Sequence, residues 1–178
     1  MNKQIIPATQ HDVELVCRLF EQAIAFVQQH NYIGWSIYDI ATIRSDIEKG
    51  QLYKIMKEKD LLGIFSLYTA DPLIWGNKEK GNAVYLHRIV LNQTFKGEKL
   101  VPHILDWARD HAIHHRLDFI RIDTWAANEK LINYYKSYGF RFIEHFRSGD
   151  TPELPIQHRN LDLVLLELTV QADNIVIE

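Results

Sequence analysis

Residues 83–103, AVYLHRIVLNQTFKGEKLVPH, hold the densest run of side chains whose types and order could do chemistry. The run opens as a strand, with Val84, Leu86, Val90 and Leu91 set among Tyr85, His87 and Ile89. Alternation places Tyr85 and His87 on one face. A polar turn over residues 92–96 leads to Gly97. Leu100, Val101, Ile104, Leu105, Ala108 and Ala112 then recur at helical spacing. Strand, glycine turn and helix together aim free backbone N–H groups at an anion. The same pattern also describes an ordinary strand-to-helix turn in which Gly97 only supplies a positive φ.

Other reactive types read as structural. Cys17 is the one cysteine. It lies in an apolar helical stripe with Val13, Val16 and Phe20, where nothing nearby would lower its pKa. His111, His114 and His115 invite a metal test, since 111 and 115 are one turn apart. They lack a carboxylate-rich partner set and the glutamate of HExxH, so no metal is expected. Their place at a helix C-terminus, where the dipole favours positive charge, explains them.

The elements that must position these groups follow from composition and pattern. A chain of 178 residues, 47% hydrophobic and 24% charged, suits one soluble domain over residues 1–178. A net charge of −3 argues against a nucleic-acid partner. No apolar run reaches the roughly 18 residues of a membrane span, and MNKQIIPATQ has no secretory apolar core. With a single cysteine no internal disulfide can form, which predicts a reducing, cytoplasmic setting.

Along the chain, a first strand over residues 3–7 precedes a helix capped by Thr9 to Asp12 and running to about Gln29. An aromatic connector over residues 32–38 leads to a second helix ending at Gly50. Residues 52–57 and 61–68 form a hairpin about Glu58-Lys59-Asp60. Residues 69–82 carry turn signals, Asp71-Pro72 and Trp75-Gly76 among them. After the opening strand and helix, FIRIDT (119–124) makes a strand parallel to the opening one. A helix over residues 128–138 stops at Gly139, and residues 140–146 and 161–169 supply two last strands. The sum is roughly seven strands and four helices in the order βααβββαβαββ, an α+β (α/β sandwich) fold with helices on both faces of a mixed sheet.

Two segments in this order resemble the GNAT superfamily of acyl-CoA-dependent N-acyltransferases. Phe95-Lys96-Gly97-Glu98-Lys99-Leu100-Val101 is similar to the family's aromatic-Arg-Gly-x-Gly-x-Gly/Ala turn, with Lys99 and Val101 at the later glycine positions. Residues 128–140, NEKLINYYKSYGF, resemble its Asn-x-x-x-x-x-x-Tyr-x-x-x-Gly-Phe run. The resemblance implies a GNAT-like seven-stranded sheet and transfer of an acetyl group from acetyl-CoA directly to a primary amine. It implies that the backbone of Lys96, Gly97, Glu98, Lys99, Leu100 and Val101 cradles the pyrophosphate. It also implies that the opening strand splays from its neighbour, freeing the main chain of Ile89, Val90 and Leu91 for the cofactor's arm. Asn128 would contact that arm as well as cap its helix.

Tyr135, in the Tyr-x-x-x-Gly-Phe position, is the implied general acid, with Tyr134 as its neighbour should the register slip and simple core packing as the plainer reading. His87 stands where many relatives have the glutamate that acts as base. An imidazole of ordinary pKa about 6.5 could accept the proton; a structural histidine is the alternative. Tyr32, Trp35, Tyr38, Trp75 and Tyr85 are candidates for an aromatic wall that holds an ammonium by cation–π attraction, or for packing. Residues 147–160 are a lid or an inert loop. Strand edges or the NIVIE tail could support a homodimer. The altered glycines and the His in place of Glu motivate a second reading, a GNAT-fold module that binds acyl-CoA without catalysis.

Overall fold

Thr9 and Asp12 open the first helix by exchanging hydrogen bonds: the Asp12 carboxylate accepts from the Thr9 N–H at 2.7 Å and from its hydroxyl at 2.9 Å. Asp39 opens the second by accepting from Ala41 N–H at 2.9 Å. In the computed structural model, which describes residues 3–95 and 97–170, the chain runs β1 (Gln4–Pro7), α1 (Val13–Gln29), α2 (Ile40–Glu48), β2 (Leu52–Lys57) and β3 (Asp60–Tyr68). It continues through a single turn, α3 (Pro72–Trp75), to β4 (Ala83–Leu91), α4 (Leu100–His114), β5 (Phe119–Trp125), α5 (Glu129–Lys136), β6 (Arg141–Arg147) and β7 (Asp162–Thr169). The expected α+β sandwich is present; among the described residues α3 is the one α-helix added to the expected order, beside four single-turn 3-10 helices. The NIVIE tail lies outside the described residues.

The strands form one seven-stranded sheet in the order β1-β2-β3-β4-β5-β7-β6. Only β4 and β5 run parallel, as the bridging helix α4 requires. On one face α1 and α2 bury Val16, Phe20, Ile43 and Ile47 against Leu52, Ile64 and Val90. On the other, α4 and α5 bury Ile104, Leu105, Ala108 and Ile132 against Val84, Leu86, Ile120 and Leu166.

β4 has two irregularities. The parallel pairing with β5 lasts only from Ala83↔Phe119 to Tyr85↔Arg121. Beyond that point the two strands diverge, and residues 86–91 have no partner on the β5 side. The register against β3 also slips: Ser66 faces His87 while Ile64 faces Val90, so β4 carries one extra residue. Arg88 takes it up in the left-handed region, at φ 50°, which makes this a β-bulge. Alternation reverses across the bulge. Val84 and Leu86 belong to the α4/α5 core, but two residues of even number later Val90 belongs to the α1/α2 core. Gly63 lets β3 close on the strand just past the bulge, since a Cβ there would meet the Val90 carbonyl oxygen at 2.9 Å.

Candidate active site

Divergence of β4 from β5 opens a chain of cavities that runs from the start of α4 through the plane of the sheet. At the α4 end lies a cavity of about 330 Å³, bordered by Gly97, Glu98, Lys99, Leu100, Val101 and Tyr134. No side chain among the described residues caps α4, and the dipole at a helix start favours an anion. Gly97 has φ +89° with nothing within 4 Å of a would-be Cβ. Glu98, which borders this cavity, is turned onto Lys57 Nζ at 2.7 Å and Lys3 Nζ at 3.2 Å. Its hydrogen bond to Lys57 holds the carboxyl below its usual range, with Lys3 adding to the effect. Lys96 lies outside the described residues.

Lys99 stands at a position where the glycine turn has a second glycine, and it adopts φ 49°, ψ 52°. A left-handed residue with a Cβ costs about 1–2 kcal/mol, part of which glycine returns through the greater freedom of its unfolded chain. Lys99→Gly is therefore expected to raise stability by about 0.5–1 kcal/mol in urea unfolding.

Next comes a cavity of about 310 Å³ between α1 and the unpaired edge of β4, where Ile89, Val90 and Leu91 face Ala23, Val27 and Trp35. It leads to a narrow chamber of about 90 Å³ at the split itself, walled by His87, Ile89, Asp123, Trp125, Tyr135 and His158. Asn128 is the residue that caps α5, whose Leu131 and Tyr135 line this chamber. Its Oδ1 accepts from Leu131 N–H at 3.1 Å, the expected cap, while its Nδ2 donates to the Ile33 carbonyl at 3.4 Å and ties the aromatic connector to α5.

Tyr135 is 8% exposed, packed on Phe140, and its hydroxyl makes no hydrogen bond among the described residues. Burial raises its phenol well above the ordinary value, with Tyr134 and Asp123 adding to the effect. Tyr134 points the other way, towards the α4 end. Its hydroxyl accepts from that of Tyr138 at 3.3 Å, and burial first, then this bond, pushes its phenol up to about 12. One tyrosine thus faces each end of the cleft.

His87 is held between two carboxylates. Its Nε2 lies 3.2 Å from Asp71 Oδ2, and its Nδ1 lies 3.6 Å from Asp123 Oδ1. Burial raises the Asp123 carboxyl, against the opposing pull of His87. Beside them Arg88 turns to the other wall, where its guanidinium donates to Asp46 and to the Tyr68 hydroxyl. Tyr68 OH and Ser66 Oγ donate to the same carboxylate at 2.5 and 2.6 Å. His158 lies beside His87, with ring centroids 6.2 Å apart and the planes tilted by 37°. Burial, then Arg88 and His87, hold it well below its usual pKa, so it is neutral. Past His87 and Arg88 the cleft widens into a cavity of about 490 Å³ between α2, α3 and the β6–β7 loop.

Asp71, Arg88, Asp123 and His158 were not singled out in the sequence. Asp123 had a usable signal. Extending the parallel register of Tyr85↔Arg121 by two residues brings His87 level with Asp123. Asp71 was hidden in a turn signal, and nothing in the sequence marks Arg88 as the bulge.

The five aromatic residues do not form one wall. Trp35 borders the cleft and meets Trp125 edge to face. Tyr32 is 57% exposed. Tyr38 stacks on Phe20 and donates to Glu21 at 2.8 Å. Trp75 and Tyr85 correct the expectation: they are 1% and 0% exposed, packed on each other around the Arg121 guanidinium, which donates to the Tyr85 hydroxyl at 2.8 Å. An arginine that must be buried with Glu167, 2.9 Å away, recruits them. Of the helix-end histidines, His111 stacks on Trp107 and His115, and the His115 ring bonds the His111 carbonyl at 2.8 Å. No helix among the described residues is long and apolar enough to cross a membrane.

Comparisons with known proteins agree with this architecture. Residues 18–140 match the acetyltransferase (GNAT) family. The chain is 27% identical over 151 residues to the uncharacterized N-acetyltransferase YesJ of Bacillus subtilis (strain 168), covering 80% of this chain and 84% of that one. Among solved structures, a GNAT-family acetyltransferase from Listeria monocytogenes superposes with a TM-score of 0.72 at 24% identity, over 93% of this chain and 95% of that one. The yncA protein of Salmonella typhimurium, solved with its cofactor acetyl-CoA, does so with a TM-score of 0.64 at 16% identity, over 97% and 96%. The chain belongs to the GNAT family of acetyltransferases.

Proposed function

We propose that this protein is an N-acetyltransferase that passes the acetyl group of acetyl-CoA directly to a primary amine. The observation that carries the reading is the splay of β4 from β5 after Tyr85↔Arg121, which joins an uncapped helix start to a chamber walled by His87 and Tyr135. Acetyl-CoA supplies a thioester whose carbonyl carbon accepts an amine. The N–H groups from Gly97 to Val101 hold its pyrophosphate, and the unpaired main chain of Ile89 to Leu91 extends along its arm and donates to its carbonyl. Asn128, which donates to the Ile33 carbonyl, holds the connector beside that arm.

His87 takes one proton from the acceptor's ammonium, with Asp123 behind its Nδ1 holding the ring's orientation. The nitrogen lone pair then forms the C–N bond as the C–S bond breaks. The leaving thiolate takes its stabilising hydrogen bond from the Tyr135 hydroxyl, and the second nitrogen proton completes the thiol. No acyl-enzyme is needed, in keeping with Cys17 being buried in the α1 core.

The test is thiol release from acetyl-CoA over a panel of amines, beside calorimetric titration with acetyl-CoA alone. His87→Gln is expected to lower kcat/KM about 10²-fold while leaving acetyl-CoA affinity within about twofold. An unchanged kcat/KM would remove His87 from the role of base. Tight acetyl-CoA binding with no thiol release from any amine would favour a non-catalytic acyl-CoA-binding module.

A further inference from the structure

The cavity of about 490 Å³ beyond His87 has an unbalanced wall. Asp39, Asp46, Asp71 and Glu153 border it, against Lys49 and Arg88. Arg88 and Asp46 are buried as an ion pair and cancel. Three carboxylates then face one lysine ammonium, and a concave, partly enclosed wall strengthens their field. Asp39 is fixed in place by the Ala41 N–H and the Thr42 hydroxyl, each at 2.9 Å.

The floor is more specific. Asp71 and His87 are 9% and 7% exposed. Asp71 Oδ2 and His87 Nε2 on this floor, and Asp123 Oδ1 on the side of the narrow chamber, are all buried, and none has a hydrogen-bond partner among the described residues. Buried acceptors left unpaired are costly, so such a set calls for a ligand that donates. One ligand atom from each of the three residues can be chosen so that all lie within 4.8 Å of one another. An ammonium nitrogen that donates over about 2.9 Å reaches acceptors up to roughly 4.7 Å apart, so one ammonium can bridge Asp71 Oδ2 and His87 Nε2, which lie 3.2 Å apart.

We propose that the acceptor is a small diamine: its reacting ammonium is held by Asp71 beside His87, and its second positive charge is held by Glu153 and Asp39 at the mouth. The inference rests on the acetyltransferase reading and adds the class of acceptor. Arg88 does not oppose it, because Asp46 already neutralises that charge.

The experiment compares thiol release with putrescine, with butylamine (the same carbon chain and one amine) and with 4-aminobutyrate, at low and raised salt. Putrescine is expected to exceed butylamine in kcat/KM by about tenfold at low salt, and the ratio to shrink as salt screens the wall. In Glu153→Gln, at the exposed rim where folding is not at stake, the putrescine-to-butylamine ratio is expected to fall severalfold. Equal kcat/KM for the two amines, a ratio untouched by Glu153→Gln, or preference for 4-aminobutyrate would overturn the diamine assignment alone. Absence of thiol release with every amine would overturn the acetyltransferase reading and this inference together.

Discussion

Tyr135→Phe is expected to lower kcat about 10²–10³-fold while leaving acetyl-CoA affinity and folding stability nearly unchanged. The expectation follows from where the hydroxyl sits. It makes no hydrogen bond among the described residues, although the ring is buried on Phe140. Removing it therefore breaks no partner and leaves packing intact, and thermal unfolding of the variant should move little. Only a charge that develops on the leaving sulfur would miss it.

The direction of its pKa refines the role. A phenol raised above its ordinary value of about 10 is a poor source of a fully transferred proton for a thiolate whose conjugate acid lies near 8.5. In a site with little water it is still a strong donor, and a donor aimed where charge appears is the kind of group whose loss costs that much. The same shift places any alkaline limb due to Tyr135 above pH 10, so activity should not decline through loss of this proton below that. Equal losses in kcat and acetyl-CoA affinity would instead mean that Tyr135 binds the ground state. No loss in either would move the role to Tyr134, whose ring faces the α4 end.

Much of this site is written in local pattern, and the part that is not has a common cause. The Gly97 turn, the Asn128 cap and the burial of Tyr135 beside Ile132 each depend on residues within one turn or one helix face, which periodicity reports directly. Asn128 caps as its type demands. The splay and the bulge depend on strands far apart in the chain. Arg88 shows the limit: positive φ is usually announced by glycine or asparagine, whereas here a bulky arginine is held there by a carboxylate on α2. Trp75 and Tyr85 show another. An aromatic side chain reads alike whether it lines a cleft or wraps a buried guanidinium, and the deciding partner, Arg121, lies on a different strand. His87 was found for its position in β4, but the carboxylates on either side of it come from α3's leading turn and from β5.

The second large effect concerns that arginine. Arg88→Met is expected to destabilise the protein by about 3–5 kcal/mol, because it strands a buried carboxylate. Asp46 would keep its bonds from Ser66 and Tyr68, two neutral donors, but would lose its counter-charge at 3% side-chain exposure. In a domain of this size the loss corresponds to a fall in Tm of about 10 °C. The backbone strain at φ 50° is common to both residues and drops out of the comparison. Asp46→Leu alone should also be costly, since it leaves the guanidinium unpaired. The double variant Arg88→Met/Asp46→Leu removes both charges, and most of the lost stability should return, giving a coupling of about 3 kcal/mol in a urea-unfolding cycle. Additive losses would mean that the pair acts through packing and not charge. The double variant also separates the bulge from its side chain. With the fold restored, acetyl-CoA should still bind, because it is the backbone beyond Arg88, from Ile89 to Leu91, that lies open along the cleft.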